Sequence, residues 1–354
     1  MLKITPSAPA FGVRGNVIAI DIGGTNIDIA LADAGGGIVD MVRLATRAEA
    51  GPDQALERVC ALALNLASRS LGVSGVPVVA HAAVCAGVIQ SERVLMAPNL
   101  PGWENLALAR RLERDLGVDQ VAVLNDVRAG ALAELRFGQL RGVDPGIYLS
   151  LGTGVAAALT VAGQVVTGAH QAAGEIGYMV PFAPTSAAGR WGAATLEEAV
   201  GGKALGDKAS ALLGDGVSSS ALFTRRDPPS RALIEQTLLV LSTAVANLAV
   251  FVNPERIVVG GGMMASADVI LPALDERLKL VVPFPPDLVP ARFTQDASLH
   301  GAIALALDMA QGSALSVPLR SARPATPNVG LSRQRTHARA HNSAANPEEI
   351  ESCS

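Results

Sequence analysis

The chain has 354 residues, is 49% hydrophobic and 17% charged, and carries a formal net charge of −4. That apolar fraction excludes a mainly disordered chain and leaves room for two cores. The mild acidity argues against non-specific nucleic-acid binding, which shows as a basic surplus.

The opening MLKITPSAPAFGVRGN has no continuous apolar run and does not read as a secretory signal. Val17–Ile20 predicts a short strand ending at Asp21, where Gly23 and Gly24 force a turn. Ile27–Ala32 resumes a strand, and Ala34–Gly37 predicts a hairpin loop before Ile38–Leu44. Asp53–Arg69 spaces Leu56, Val59, Ala63 and Leu66 as one helix face. Val78–Val88 is strand-like. Trp103–Leu116 predicts an amphipathic helix with Arg110, Arg111, Glu113 and Arg114 outward, closed by Gly117. Val121–Leu124 reads as a buried strand, Asp126–Phe137 as a helix, and Gly146–Val161 as two strands joined at Gly152–Gly154. Helices are expected at 195–213 and 231–252, then a strand at Ile257–Val259 before Gly260–Gly262. A helix over 266–281, a strand ending at Thr294–Asp296 and a last helix from Leu299 to Ala310 follow.

The greasiest stretch, Leu238–Val252, is interrupted by Ser242, Thr243 and Asn247 and falls short of the about 20 residues a membrane span needs, so it reads as a buried helix and no membrane is expected. From 313 to 354 the apolar content drops and periodicity vanishes, which predicts a disordered tail. Arg320, Arg323, Arg333, Arg335 and Arg339 in it read as a solvated extension before an interaction arm. The cysteines, Cys60, Cys85 and Cys353, form no Cys-x-x-Cys pair, which excludes a disulfide framework and a cysteine-built zinc site and points to the cytoplasm. The only lysines are Lys3, Lys203, Lys208 and Lys279. Strand-rich blocks recur at 17–44 and 146–166, each with a glycine turn after its first strand, which suggests two related lobes.

Three glycine turns carry the chemistry. In Asp21-Ile22-Gly23-Gly24-Thr25-Asn26, bare glycines let backbone N–H groups approach an anion, Thr25 adds a hydroxyl, and Asp21 can hold Mg²⁺, through water because that ion dehydrates reluctantly. Leu151-Gly152-Thr153-Gly154 repeats the pattern in the second lobe, as a phosphate clamp closing from the other side. Val259-Gly260-Gly261-Gly262 suits a flat base or ribose against the backbone. Leu124-Asn125-Asp126 places a carboxylate at a strand–helix junction, where it can accept a proton from a hydroxyl, although Asn and Asp there also read as a helix cap. Glu175 in Gly174-Glu175-Ile176-Gly177-Tyr178 and Glu197 in Leu196-Glu197-Glu198 can accept hydrogen bonds from sugar hydroxyls or serve as surface and helix-start charges.

Together, from about Val17 to about Ala310, these motifs resemble the ROK family (repressors, open reading frames, kinases) of sugar kinases. The resemblance implies an α/β protein of two lobes, the actin/hexokinase-like (ribonuclease H-like) fold, with ATP and sugar in the cleft between them. It implies a first lobe over 1–124 completed by the helix at 299–312, and a second lobe over 125–298. The implied cofactors are ATP and Mg²⁺. Phosphates would be held by Asp21, Gly23, Gly24, Thr25, Gly152, Thr153 and Gly154, and adenosine by Gly260, Gly261 and Gly262. Asp126 would be the general base, taking the proton of a hexose hydroxyl, the 6-hydroxyl of glucose or a related sugar, as it attacks the γ-phosphoryl group. Asn99 in the Pro-Asn-Leu-Pro-Gly-Trp segment, Asn125, Glu175, Tyr178 and Glu197 match sugar-binding positions. Relatives associate as dimers or tetramers, so a homo-oligomer is expected.

The chain departs from that pattern in three places. The family's histidine after Gly-Glu-Ile-Gly is Tyr178, and the cysteine segment that builds its structural zinc site is missing, with Gly-Arg-Trp-Gly-Ala-Ala-Thr-Leu-Glu at 189–197, so no zinc is expected. His170 nearby reads as a surface-loop histidine. Ala156-Ala157 replaces a glycine run and narrows the space beside the second turn. Two other functions compete with a kinase. One is a silent sugar-binding or regulatory protein, suggested by these departures. The other is a sugar-responsive repressor, for which the 20 residues ahead of Asp21 leave no room for a DNA-binding domain.

Overall fold

The computed structural model describes residues 13–181, 195–214 and 216–312. Within them the chain runs β1 (Asn16–Ile22), β2 (Asn26–Ala32), β3 (Ile38–Ala45), α1 (Gly51–Arg69), β4 (Val78–Cys85), β5 (Val88–Gln90), β6 (Arg93–Leu95), α2 (Leu108–Leu116), β7 (Ala122–Asn125) and α3 (Asp126–Phe137). It continues through β8 (Gly146–Leu151), β9 (Val155–Val161), β10 (Gln164–Val165), α4 (Leu196–Val200), α5 (Gly202–Leu213), α6 (Ser219–Thr224), α7 (Pro228–Val252), β11 (Arg256–Gly260), α8 (Ala267–Val281), β12 (Asp287–Pro290) and α9 (Ala297–Ala310).

One plan is used twice. The first sheet has the order β3-β2-β1-β4-β7 and the second β10-β9-β8-β11-β12. In each, the first three strands in sequence form an antiparallel meander, the leading strand then pairs in parallel with a fourth, and that strand pairs in parallel with a fifth. The paired strand-rich blocks of the sequence are these two meanders, and the two-lobed α/β fold follows from them. A two-stranded ribbon, β5-β6, stands apart.

Alternation along the strands sorts the core into layers. Ile18, Ile20 and Ile22 of β1 face outward onto α1 and α2, with Leu56, Val59 and Trp103. Val17 and Ala19 of the same strand face inward onto α3 and α9. In the second sheet, Ile147, Leu149 and Leu151 face α4, α5, α7 and α8, while Tyr148 joins the inner layer. The inner layer is built of small residues because two helices must lie between two sheets there. Gly301 of α9 faces Ala129 of α3, and a Cβ added at Gly301 would collide with the Ala129 carbonyl.

Three elements differ from the sequence expectation. The helix expected over Trp103–Leu116 begins at Leu108. The Asn99–Trp103 segment turns instead, and Trp103 is fully buried. Arg111 is not outward-facing but only 20% exposed, joining Asp53 of α1 to Asp115. The helix expected at 195–213 is two helices, broken at Gly201, because the backbone at 202–203 is bonded to the Gly152–Thr153 turn. The last parallel strand is Asp287–Pro290, not a run ending at Thr294–Asp296. The chain beyond it is held by side chains instead of a ladder: Phe293 N donates to Glu134 Oε1 at 3.0 Å, and Arg292 reaches the Phe137 carbonyl. By length and composition α7 could cross a membrane, but its Ile234, Leu241, Val245 and Ala249 stripe packs in the second core. The segments at 1–12, 182–194 and 313–354, the last expected to be a disordered tail, lie outside the described residues.

Gly301→Ala is expected to destabilise the protein by about 2 kcal/mol through overpacking at the α3–α9 crossing. The measurement is urea unfolding, with a lower midpoint at unchanged slope.

Candidate active site

Parallel strands end where helices begin, and in both sheets that edge carries the motifs. Asp21 lies near the end of β1, beside Val84 of β4, whose other neighbour is Leu124 of β7. The Gly23–Thr25 turn is closed from below by Thr46, which sequence reasoning passed over. Its hydroxyl donates to the Gly23 carbonyl at 2.6 Å and its N–H to the Thr25 carbonyl at 2.8 Å. Asn99 folds over Gly24, close enough that a Cβ there would stand 2.7 Å from the Asn99 Cβ. The Pro-Asn-Leu-Pro-Gly-Trp segment and the first turn therefore meet.

The cap reading of the Asn125-Asp126 segment falls to Asn125. Asn125 is the helix cap: its Oδ1 accepts from Arg128 N at 2.9 Å. Asp126 is the first residue of α3, with Oδ1 accepting from Val127 N at 2.9 Å, and its carboxyl opens into the cleft. Protein surrounds it on the other sides, and that burial raises its pKa against the opposing pull of the backbone N–H groups and Arg128. Asp21 is raised to about 6, first by burial and further by the charges of Asp126 and Asp28. Ser298 in the first turn of α9 and Arg43 oppose the rise; the Ser298 hydroxyl donates to Asp21 Oδ2 at 2.7 Å.

Two crowded carboxylates in a desolvated cleft form a setting that a hard divalent cation relieves. Mg²⁺ suits it, because that ion is held by one or two carboxylates with water and phosphate oxygens. Among the described residues no cluster of three or more His, Cys, Asp or Glu side chains could enclose a metal, so protein ligands alone do not form a cage there.

Arg128 is the residue that sequence reasoning missed most completely. It lies one turn into α3, is 1% exposed, and its Nη2 donates to the carbonyls of Gln171 at 2.7 Å and Ala173 at 3.2 Å. Those carbonyls belong to the loop that carries Glu175. Glu175 is half-buried, and burial, with the charges of Asp126 and Glu197, pushes its pKa up while Arg128 holds it down. The only sequence signal was an arginine on the buried face of a helix. Tyr178, at the end of a single 3₁₀ turn after Glu175, is 47% exposed. Glu197 lies against Gly154 and Gly177, and its Oε2 accepts from Val155 N at 3.3 Å, which places it behind the Gly152–Gly154 turn. Ala156 and Ala157 are strand residues of β9, where Ala157 N donates to the Gly174 carbonyl at 2.9 Å.

The second turn borders an open groove of about 780 Å³ lined by Gly152, Thr153, Lys203, Asp207, Gly262 and Met263, among others. Its size is that of a small-molecule site. The break between α4 and α5 supplies its floor: Gly202 N donates to the Gly152 carbonyl at 2.9 Å and Lys203 N to the Thr153 carbonyl at 3.1 Å. The glycine triplet divides its labour. Gly260 makes room for the Tyr148 ring, Gly261 has φ of +92° and lies against the Leu151 carbonyl, and Gly262 lines the groove. The structure thus gathers Gly152, Thr153 and Gly262 around one groove, and Asp21, Asp126 and Glu175 within one electrostatic neighbourhood.

A two-lobed fold with acids at the strand ends and a glycine-lined groove beside them defines the actin/hexokinase-like class. Residues 17–309 match the ROK family, and the chain belongs to it. The N-acetylmannosamine kinase of Escherichia fergusonii is 30% identical over 298 residues, 82% of this chain and 97% of that one. The ROK hexokinase of Thermus thermophilus superposes with a TM-score of 0.71 at 27% identity, covering 84% of this chain and 99% of that one. The ROK glucokinase of Streptomyces griseus, solved with glucose and AMPPNP, gives 0.65 at 27% identity, covering 82% and 99%.

Arg128→Leu is expected to cost about 2–3 kcal/mol by leaving part-buried carbonyls unpaired. The measurement is the midpoint of chemical denaturation, with the Michaelis constant for sugar rising alongside.

Proposed function

We propose that this sugar kinase of the ROK family transfers the γ-phosphoryl group of ATP to a hexose hydroxyl, the 6-hydroxyl of glucose or of a related sugar, with Asp126 as general base. One observation carries the reading. Asp126 is a carboxylate open to the cleft at the start of α3, its pKa raised by burial above the ordinary aspartate value. The acceptor range includes 2-acetamido hexoses, because a relative at 30% identity is an N-acetylmannosamine kinase, and glucose, because a structural relative was solved with it.

Asp126 accepts the proton of the attacking hydroxyl and orients that oxygen in line with the terminal phosphorus. Glu175, with its loop held by Arg128, accepts hydrogen bonds from other sugar hydroxyls, joined by Asn99 and by the amide that Asn125 does not use in capping. Tyr178 stands at the rim and Glu197 supports the second turn. The glycine turns at 23–25 and 152–154 present backbone N–H groups to the phosphate chain, and Gly260–Gly262 flank adenosine. Asp21 would hold Mg²⁺ through water, and the ion would supply neutralisation of phosphate charge. Closure of the lobes excludes water and limits wasteful hydrolysis of ATP.

Two wider expectations belong to the same reading. Self-association is supported by apolar side chains exposed at the ends of α7 and α8, Phe251 at 89% and Leu280 at 73%, with Phe284 following at 77%. A cytoplasmic setting is supported by the free, buried thiols of Cys60 and Cys85.

Coupled ADP release over a panel of hexoses and acetamido hexoses tests the proposal. Asp126→Ala is expected to lower kcat by about 10²–10⁴-fold; equal rates in both proteins would remove Asp126 from the mechanism, and sugar binding without turnover on any sugar would leave a silent binding protein.

Sugar affinity is also expected to depend on pH. Because the Glu175 pKa is raised, its carboxylate is protonated nearer neutrality than an ordinary glutamate, so affinity falls as pH drops through that raised value. Titration calorimetry across pH should show the fall in the wild type and its loss in Glu175→Gln.

A further inference from the structure

The groove holds a charge pair that helix stability does not explain. Lys203 and Asp207 lie one turn apart in α5, Nζ to Oδ2 2.8 Å, with side chains 61% and 67% exposed. A lysine in the first turn of a helix faces the positive end of the macrodipole. An acid four residues after a base is also the weaker order for such a pair, and exposed pairs contribute little in any case. Both residues line the groove.

Lys203 is rooted beside the second phosphate turn by the bond from its own N–H to the Thr153 carbonyl. It is the only cationic side chain among the described residues lining the groove. The other described lysines are engaged elsewhere: Lys208 Nζ donates to the carbonyls of Glu198 and Ala199 at 2.7 and 2.9 Å, and Lys279 pairs with Asp275 on α8. Asp207 stands further along the groove with Gly206, Ser210 and Ser218, small residues that leave its carboxylate accessible. A phosphate chain gives the ammonium a stronger partner than an exposed aspartate does, since several negative oxygens replace one carboxylate. Once released, Asp207 has two acceptor oxygens, and a ribose offers two adjacent hydroxyl donors.

We propose that Lys203 and Asp207 are the donor-recognition pair of this site, Lys203 binding the phosphate chain beside Gly152–Gly154 and Asp207 accepting the ribose hydroxyls. The inference rests on the groove being the nucleotide site of the proposed kinase. It assigns the two residues separable tasks. A nucleotide engages both, whereas an inorganic polyphosphate engages Lys203 alone.

Calorimetric titration of the whole chain with ADP and with tripolyphosphate, each with Mg²⁺, separates these tasks without needing the sugar. Lys203→Met is expected to weaken both ligands by about tenfold, with Lys203→Arg recovering most of the loss, and Asp207→Ala to weaken ADP by about fivefold while leaving tripolyphosphate within about twofold of wild type. Thermal melts of the variants without ligand verify that they are folded. Undiminished binding of ADP and tripolyphosphate by Lys203→Met would overturn the role of the lysine, as would a wild type that binds ADP but not tripolyphosphate. Equal losses of both ligands in Asp207→Ala would overturn that of the aspartate. A wild type that binds no ADP would instead sink the nucleotide reading of the groove.

Discussion

The contact of Gly301 with the Ala129 carbonyl governs where the chemistry sits. It lets α3 and α9 pack side by side between two sheets at a separation that a single extra carbon would forbid. The same helices begin at the cleft. α3 starts with Asp126, and the first turn of α9 supplies Ser298, whose hydroxyl holds Asp21. A constraint in the middle of the molecule, made of glycine and alanine, thus sets the relative position of the two acids at its working edge. The alanines of β1, β2 and β4 on the inner face of the first sheet serve the same end, since bulkier residues would push the helices away from it.

The electrostatics of that edge run against the stability of the empty protein. Asp21, Asp126 and Glu175 are all desolvated, and Asp126 raises the pKa of both others. Arg128, a deeply buried cation nearby, gives its Nη2 hydrogen bonds to backbone carbonyls and reaches the acids through its field. Excess negative charge of this kind suits a site that meets a divalent cation and a proton in turn, because each arrival lowers a repulsion already present.

Much of the fold was legible in the chain because its signals are local. Short apolar runs beside glycine turns marked β1, β2, β8 and β9, and the Asn-Asp pair marked the start of α3 to the residue. The glycine turns were visible as turns. What remained hidden depends on distant partners. Nothing near Gly201 announces that residues 202 and 203 bond to a turn 50 positions earlier, so the segment read as one continuous helix. Trp103 looked like the start of an amphipathic helix, because its burial beneath α1 is a tertiary fact. Thr46, Arg128 and Ser298 escaped for the same reason: each acts across the fold on a residue 23, 43 and 277 positions away. The glycine motifs were visible in the chain, but the separate surroundings of their members were not, as the three glycines at 260–262 show.

The bridge from Arg128 to the carbonyls of Gln171 and Ala173 has a mechanical consequence. It joins the helix bearing Asp126 to the loop bearing Glu175 into one cassette. A motion that shut the cleft would carry the Asp126 and Glu175 carboxyls as one piece, so their spacing is built in rather than found anew at each closing.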